Sequence, residues 1–378
     1  MTTIKVTMAA IKDYISEQLV RCLADHLQEQ LPSFHRRTFE RLIIPKLSAL
    51  EFKQRVQLIT DELHRVLPTN TRQRYRLITA LLQSDTTTDR QSNESGITGW
   101  GTLPLCAVVG QHGQGAFKQS MDMLKTLTPH FSAEFDIRYF LLADQPKALN
   151  ILSTWVQSSN YHVRRLVSEG TRPRLPWAMQ LPQLIADPAP VLPLLTALRD
   201  DPEEYVRRSV ANHLNDIAKD HPDLVANLAH DWLKDATPER QKLIRHACRT
   251  LIKQGHSNTL AAFGLNTQAF ELTALKLKQP QIRLGETLDF YCKLRSTAST
   301  EQTLMIDYLL HFRKANGQQK PKVFKWKQIT LAAGTTVELN RRHSIRSITT
   351  RRYYEGQQSL SLRINGQDTG WIDFELTC

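Results

Sequence analysis

Apolar residues recur every four positions near the start of the chain, at Ile11, Ile15, Leu19, Leu23 and Leu27, and again at Ile59 and Leu63. A period close to 3.6 gives each segment one stripe to bury, which predicts amphipathic helices, and Pro32, Pro45 and Pro68 fall where those helices must break. The stretch Ser84 to Gly96 (SDTTTDRQSNESG) has no apolar anchor and reads as a flexible surface loop between helical blocks.

Beyond that loop a repeat emerges. Phe135-Asp-Ile-Arg138, Tyr161-His-Val-Arg-Arg165, Tyr205-Val-Arg-Arg208 and Lys242-Leu-Ile-Arg245 each open a helix-periodic segment, and arginines 164, 207 and 245 lie 43 and 38 residues apart. Spacing near 40 with paired helices is the signature of HEAT-like solenoids, whose stacked repeats bury a continuous core. Asp187-Pro188, Asp201-Pro202 and His221-Pro222 supply the turns between helices.

From about Phe270 the period falls to two: Phe270 and Leu272; Leu288, Phe290 and Cys292; Leu360, Leu362 and Ile364; Ile372, Phe374 and Leu376. Gly285, Asn316-Gly317, Gly334 and Asn365-Gly366 separate the runs, as the turns of an all-β sandwich do. The expected architecture is therefore mainly α, a helical array over residues 1–269 followed by a small β-sandwich over 270–378.

Charge changes this picture by suggesting a partner. The 378 residues carry a net +12, and residues 275–378 alone hold 17 Lys and Arg against 9 Asp and Glu, or +8 of that excess. Such a balance points to a polyanion such as nucleic acid. The run from Arg341 to Tyr354 (RRHSIRSITTRRYY) interleaves Arg341, Arg342, His343, Arg351 and Arg352 with two tyrosines, as a DNA-binding hairpin or loop would; a solvated basic strand face is the plainer reading. Five scattered cysteines without Cys-x-x-Cys spacing predict reduced thiols and a cytoplasmic setting. The N-terminus lacks a secretion pattern and no apolar run approaches the length of a membrane span, so no membrane partner is expected.

Several chemistries find no support. Gly110-Gln-His-Gly-Gln-Gly115 is glycine-rich, but Lys118-Gln-Ser120 is out of register for a P-loop, so the segment reads as a turn ahead of the next helix, with backbone N–H groups able to hold a DNA phosphate. Neither His-Glu-x-x-His nor paired cysteines suggests a metal, and no nucleophile elbow favours a Ser-His-Asp triad. A nuclease or lyase would need a metal or an amine nucleophile, and no lysine stands out.

Three segments, Phe131-Ser-Ala-Glu-Phe-Asp-Ile-Arg138, Val167-Ser-Glu-Gly-Thr-Arg-Pro-Arg-Leu-Pro-Trp177 and Tyr205-Val-Arg-Arg-Ser-Val-Ala-Asn-His-Leu-Asn-Asp216, resemble the AlkC branch of the AlkC/AlkD DNA glycosylases. The resemblance spans nearly the whole chain, including the C-terminal immunoglobulin-like domain of one AlkC subgroup; the loop at 84–96 has no counterpart in it. It implies a bacterial monofunctional glycosylase that removes cationic alkylated bases, chiefly 3-methyladenine, from duplex DNA without turning the base into a pocket. A monomer without cofactor or metal, associated with the nucleoid when on DNA, is the corresponding expectation.

The resemblance assigns catalysis to Glu134, Glu169, Asp216 and Trp177. An N3-alkylated adenine is already a good leaving group, so the demand falls on the sugar, where carboxylates stabilise an oxocarbenium-like transition state and one positions water. Each residue has a structural alternative. Glu134 follows the potential N-cap Ser132, where the helix dipole alone favours an acid. Glu169 precedes the helix stop Gly170, a place where an acid is electrostatically disfavoured, so stability explains it less well. Asp216 shares a helix face with Asn212, and either DNA contact or an inter-repeat hydrogen-bond ladder accounts for polar groups there. Trp177 lies in a proline-stiffened loop, and Trp100, between two glycines, is a second candidate wall or a core residue. Arg172, Arg174, Arg207 and Arg208 are expected at phosphates, although HEAT-type arginines also cap neighbouring helices. The alternative to the enzyme is a non-catalytic HEAT-repeat scaffold for nucleic acid or protein.

Overall fold

The computed structural model of the chain describes residues 11–84, 92–265, 269–348 and 351–378. Two compact units are present, Met1–Asp220 and His221–Cys378. The change from helical to strand pattern at 270 therefore does not coincide with the division into units, because four helices belong to the second one.

The first unit is built from α1 (Glu17–Gln30), α2 (Arg36–Ile43), α3 (Phe52–Val66), α4 (Thr71–Ala80), α5 (Thr102–His112), α6 (Phe117–Leu127), α7 (Ile137–Ala143), α8 (Gln145–Trp155), α9 (Tyr161–Gly170), α10 (Pro182–Ala186), α11 (Leu192–Leu198) and α12 (Glu204–Ile217). Ile15, Leu19, Leu23 and Leu27 of the early stripe are buried, but the helix begins later than the period predicts: α1 starts at Glu17, and the exposed Ile11 lies in a 3-10 turn, Ile11–Tyr14, ahead of it. Pro45 starts a 3-10 turn after α2, and Leu67-Pro68 follow the end of α3. Neighbouring helices pack in pairs, α3 on α5, α7 on α8 and α9 on α12, which is the HEAT-like arrangement the repeat spacing calls for.

The repeat arginines explain that spacing. Arg164 donates to the carbonyls of Ser158 at 2.8 Å and Ser159 at 3.1 Å, and Arg207 makes the same reach to Asp201 at 2.6 Å and Pro202 at 2.8 Å. Each closes the turn ahead of its own helix. Arg164 also forms a bidentate pair with Asp201, tying α9 to the turn that starts α12.

Of the polar loop at 84–96, residues 85–91 lie outside the described residues. Its far end is anchored: the Asn93 carbonyl accepts from His26 Nε2 at 2.9 Å, and Gln83 N–H donates to the Ile97 carbonyl at 3.2 Å. Gly110 is interior to α5 rather than in a phosphate-facing turn. A Cβ there would stand 2.9 Å from the Asp136 Cβ and from Tyr139 Cδ2, so the glycine is what lets the 136–139 segment approach α5.

The second unit holds α13 (Pro222–Leu233), α14 (Pro238–Ala247), α15 (Arg249–Gln254) and α16 (Ser257–Ala262), then β1 (Phe270–Leu277), β2 (Gln281–Arg283), β3 (Thr287–Ser296), β4 (Gln302–Arg313), β5 (Gln319–Leu331), β6 (Thr336–Ser344), β7 (Gly356–Ile364) and β8 (Gln367–Thr377). One sheet has the order β1-β3-β6, the other β2-β8-β7-β4-β5, and every pairing is antiparallel except β2 with β8. Leu288, Phe290, Cys292, Leu360, Leu362, Ile364, Phe374 and Leu376 fill the core between them, as the alternation predicts. The sandwich of the expected mainly-α plus β fold is present.

Gly366, at φ +80, sits in the β7–β8 turn, where an added Cβ would meet Leu260 of α16 at 2.5 Å and Gly255 at 2.8 Å. Gly317, at φ +78, has open space around it. Gly317→Ala is expected to lose about 1 kcal/mol from backbone strain alone, and Gly366→Ala about 2 kcal/mol or more because a close contact is added. Urea unfolding of the two variants measures the difference, and equal losses would show that the contact carries no weight.

Candidate active site

Three elements converge in the first unit: the turn before α7, the C-terminal end of α9 with the loop that follows, and the C-terminal half of α12. Arg138, on α7, joins the first two. Its guanidinium is fully buried and donates to the carbonyls of Met179 at 2.6 Å, Gly170 at 2.9 Å and Arg172 at 2.8 Å. Burial pulls it down to about 10, with Arg172 adding to the shift, so it remains a cation at neutral pH.

That pinned loop aims Arg172 into a buried chain of ion pairs. Arg172 donates to Glu169 Oε1 at 2.7 Å and to Asp216 Oδ2 at 2.8 Å. Arg165 lies on the other side of Glu169, 3.4 Å from its Oε1, and also donates to Glu134 Oε2. The Ser132 hydroxyl donates to the same Glu134 oxygen at 2.7 Å, Ser209 to Glu169 Oε2 at 2.6 Å, and Lys219 to Asp216 Oδ1 at 2.9 Å. Glu134, Glu169 and Asp216 thus alternate with Arg165, Arg172 and Lys219, three carboxylates against three cations.

The three acids differ in access. Glu169 and Asp216 side chains are 7% and 3% exposed and both oxygens of each are engaged; Glu134 is 15% exposed and its bonds fall on Oε2. Glu134 sits in the turn just ahead of α7 rather than in its first turn, while Glu169 and Asp216 are the penultimate residues of α9 and α12. Burial pushes the Glu169 carboxyl up, but the Arg165 and Arg172 guanidiniums and the Ser209 hydroxyl outweigh it and hold the group below the ordinary glutamate value. His213, one turn before Asp216, is fully buried; its Nδ1 faces the Ser168 carbonyl at 2.9 Å, and burial pulls it down to about 4, so the ring is neutral and its Nδ1 carries the proton.

Trp177, on the loop that also carries Arg172, is 58% exposed with φ 66, a left-handed backbone that a bulky residue rarely adopts. Its carbonyl accepts from Lys53 at 2.5 Å and its ring packs 6.4 Å from Phe52. Trp100 is half-buried against Tyr14, Phe52 and Phe131, with centroids at 5.6, 5.3 and 4.7 Å. The two tryptophans therefore belong to one aromatic wall that shares Phe52.

The arginines expected at phosphates separate into groups. Arg172 is buried within the acid cluster, Arg174 forms a bidentate pair with Asp220 at 2.9 Å, and Arg207 closes its own turn; Arg208 is exposed. Asn212 is half-buried on α12. In the second unit, Arg341 lies over the Tyr308 ring at 5.6 Å, Arg342 reaches Asp289 at 3.1 Å, and Arg351 and Arg352 lie over Phe312 and Tyr354 at 4.2 and 5.5 Å. His343 is half-buried, its Nδ1 2.8 Å from the Tyr308 hydroxyl, and burial pulls it down to about 4. Its ring is therefore a neutral part of an aromatic cluster rather than a cation offered to a polyanion. Residues 341–344 end strand β6, and Thr349 and Thr350 lie outside the described residues.

Sequence reading passed over Arg165, Ser209 and His213. Arg165 stood in the repeat motif beside Arg164, where periodicity cannot tell a turn-closing arginine from an acid-bridging one. Ser209 and His213 lie one turn apart on the α12 face that carries Asp216, and that shared face is the sequence signal for them.

Because Glu169 titrates below its ordinary value in the folded chain, the stability it confers is present above about pH 4.5 and lost as pH falls through the folded value. Glu169→Gln leaves Arg165 and Arg172 short of a partner and is expected to destabilise by about 3 kcal/mol at pH 7. That gap should narrow below pH 4.5, and urea unfolding across pH 3 to 7 reads it; a gap independent of pH would disprove the ionised pairing.

Residues 131–251 match the family model described as DNA alkylation repair enzyme, and residues 271–378 match that of the YhaZ C-terminal Ig-like domain. The chain is 36% identical over 371 residues to the uncharacterized protein YhaZ of Bacillus subtilis, covering 98% of this chain and 100% of that one. Its fold matches the alkylpurine DNA glycosylase AlkC of Pseudomonas fluorescens, solved bound to DNA containing an abasic site analog, with a TM-score of 0.83 and 35% identity over 98% of this chain and 100% of that chain. With both halves of the architecture and the three quoted motifs accounted for, the chain belongs to the AlkC branch of the DNA alkylation repair glycosylases, in the group that carries a C-terminal immunoglobulin-like domain.

Proposed function

We propose that this protein is a monofunctional DNA glycosylase that hydrolyses the N-glycosidic bond of cationic alkylpurines, chiefly 3-methyladenine, in duplex DNA. DNA repair glycosylase activity follows from the family; the lesion and the residue roles are this reading's own. The observation that carries it is the convergence of Glu134, Glu169 and Asp216 from three separate elements through Arg165 and Arg172, with Trp177 exposed on the loop that carries Arg172.

The bond between C1′ and N9 breaks with its electron pair passing to the base, which leaves neutral because it began as a cation. The sugar takes up the positive charge. Trp177 offers its π face and Glu169 and Asp216 offer fixed negative charge to the sugar in that state. Glu134, the most accessible acid and the one whose Oε1 carries no hydrogen bond among the described residues, orients the attacking water and takes its proton. The base need not leave the helix before cleavage, since no acid has to reach it. The chain acts as a monomer, with the helical array and the immunoglobulin-like domain both gripping backbone.

The full pairing of Glu169 and Asp216 favours one rival, a non-catalytic nucleic-acid-binding array held together by an ion-pair ladder. Release of free 3-methyladenine from methylated duplex DNA separates the two. The wild type is expected to release it, and Glu134→Gln and Asp216→Asn to be slower by about 100-fold or more while binding abasic-site DNA normally. No release by the wild type would leave the scaffold.

In the same complex, Arg351→Gln with Arg352→Gln should lower the slope of log affinity against log salt by up to about 0.9 per arginine that meets a phosphate. An unchanged slope would place both arginines in the aromatic cluster alone.

A further inference from the structure

The first unit holds a cavity of about 230 Å³ whose walls include Phe52, Phe135, Tyr139 and Trp177, with Lys53, Gln57, Gln111 and Asp136 as polar members. Asp136 is 5% exposed, and its carboxyl makes no hydrogen bond or ion pair among the described residues, although it heads α7 in an N-cap position. The close approach permitted by Gly110 fixes it there. A buried carboxyl without partners costs a few kcal/mol, and a site that keeps one has a missing partner to supply.

The walls and the polar groups together describe that partner. Four aromatic rings favour a flat ring system, and the space suits a bicyclic one. Burial pushes the Asp136 carboxyl up to about 8, with the Glu134 charge adding to the shift, so at neutral pH it is mostly the acid form. A carboxylic acid presents one O–H donor beside one acceptor, which is the complement of the amino N–H and ring nitrogen along the edge of an adenine. The Gln111 amide, now paired with Gln57 at 2.8 and 2.9 Å, adds a donor and an acceptor at the rim. The one lining cation, Lys53, is already engaged by the Trp177 carbonyl at 2.5 Å.

We propose that this cavity receives the methylated purine base after its bond to the sugar is broken, seated among the aromatic walls with its amino edge on Asp136. The inference rests on the glycosylase reading above. Entry follows cleavage, so it places no requirement on where the base lies before the reaction. The site gives the leaving base a destination away from the sugar cation it has just left.

Free 3-methyladenine titrated into the full-length chain, followed by calorimetry and tryptophan fluorescence, tests this directly, with cytosine as the control. Saturable binding to the wild type is expected, weakened by about tenfold or more in Asp136→Leu, with cytosine not binding. Leu removes an unpartnered carboxyl, so melting of that variant should not fall; Gln111→Leu, at the rim, gives a second variant with the same expected loss of affinity. No saturable binding by the wild type, or equal affinity in both variants, overturns the proposal. Base binding through Asp136 in a chain that releases nothing from methylated DNA would keep the purine site and sink the reaction. Release from DNA with no binding of the free base would keep the reaction and remove the site.

Discussion

The buried guanidinium of Arg138 is the constraint on which the site depends. A fully buried arginine is tolerable only if its donors are met, and Gly170, Arg172 and Met179 meet them with three carbonyls of one loop. The loop therefore cannot wander without stranding a buried cation. Arg172, Arg174 and Trp177 all lie on it, so a single hydrogen-bonded anchor on α7 sets their positions. Trp177 keeps its left-handed backbone for the same reason: the strain of φ 66 is held between Arg138 at Met179 and Lys53 at the Trp177 carbonyl.

Preorganisation of this kind is what a charge-stabilising site requires, because dipoles and charges that are already fixed need no rearrangement as the reaction proceeds. The acid cluster fulfils it through connectivity. Removing any one member leaves its neighbours buried and unmatched, so Glu134, Arg165, Glu169, Arg172 and Asp216 hold one another in place. Ser209 and His213 extend the support from α12, the first to the Glu169 carboxylate and the second to the Ser168 carbonyl.

Much of this was legible in the sequence, and the boundary of legibility is physical. Period-four and period-two stripes report burial directly, so α1, α3 and the core positions of β3, β7 and β8 could be read. Spacing near 40 reported the repeat because Arg164 and Arg207 close equivalent turns. Strands β4 and β5 were harder: β4 is buried on nearly every residue and shows no alternation, and β5 carries Lys320, Lys322, Lys325 and Lys327 along an exposed edge. The partners of the acids were not legible at all. Local sequence shows that an arginine is present, whereas its choice between a carbonyl, a carboxylate and solvent depends on chain more than 30 residues away, as Arg165 with Glu134 and Arg172 with Asp216 show.

The balance of three acids by three cations also resolves a conflict built into the chemistry. A site for a developing sugar cation needs negative charge, yet DNA brings phosphates that such charge repels. Alternating the signs reconciles these demands through distance. Beyond about 10 Å the paired charges cancel and are screened, so the approaching backbone meets a surface whose basic excess is undisturbed. Within a few ångströms the cancellation fails, because a group there faces the nearest oxygen and not the sum. Glu134, with one oxygen uncommitted and the greatest exposure of the three, is the point at which the local field is least compensated. On the proposed reading, the ion pairs hold Glu169 below its ordinary value, keep the three acids in place, and hide them from the polyanion until the sugar is in contact.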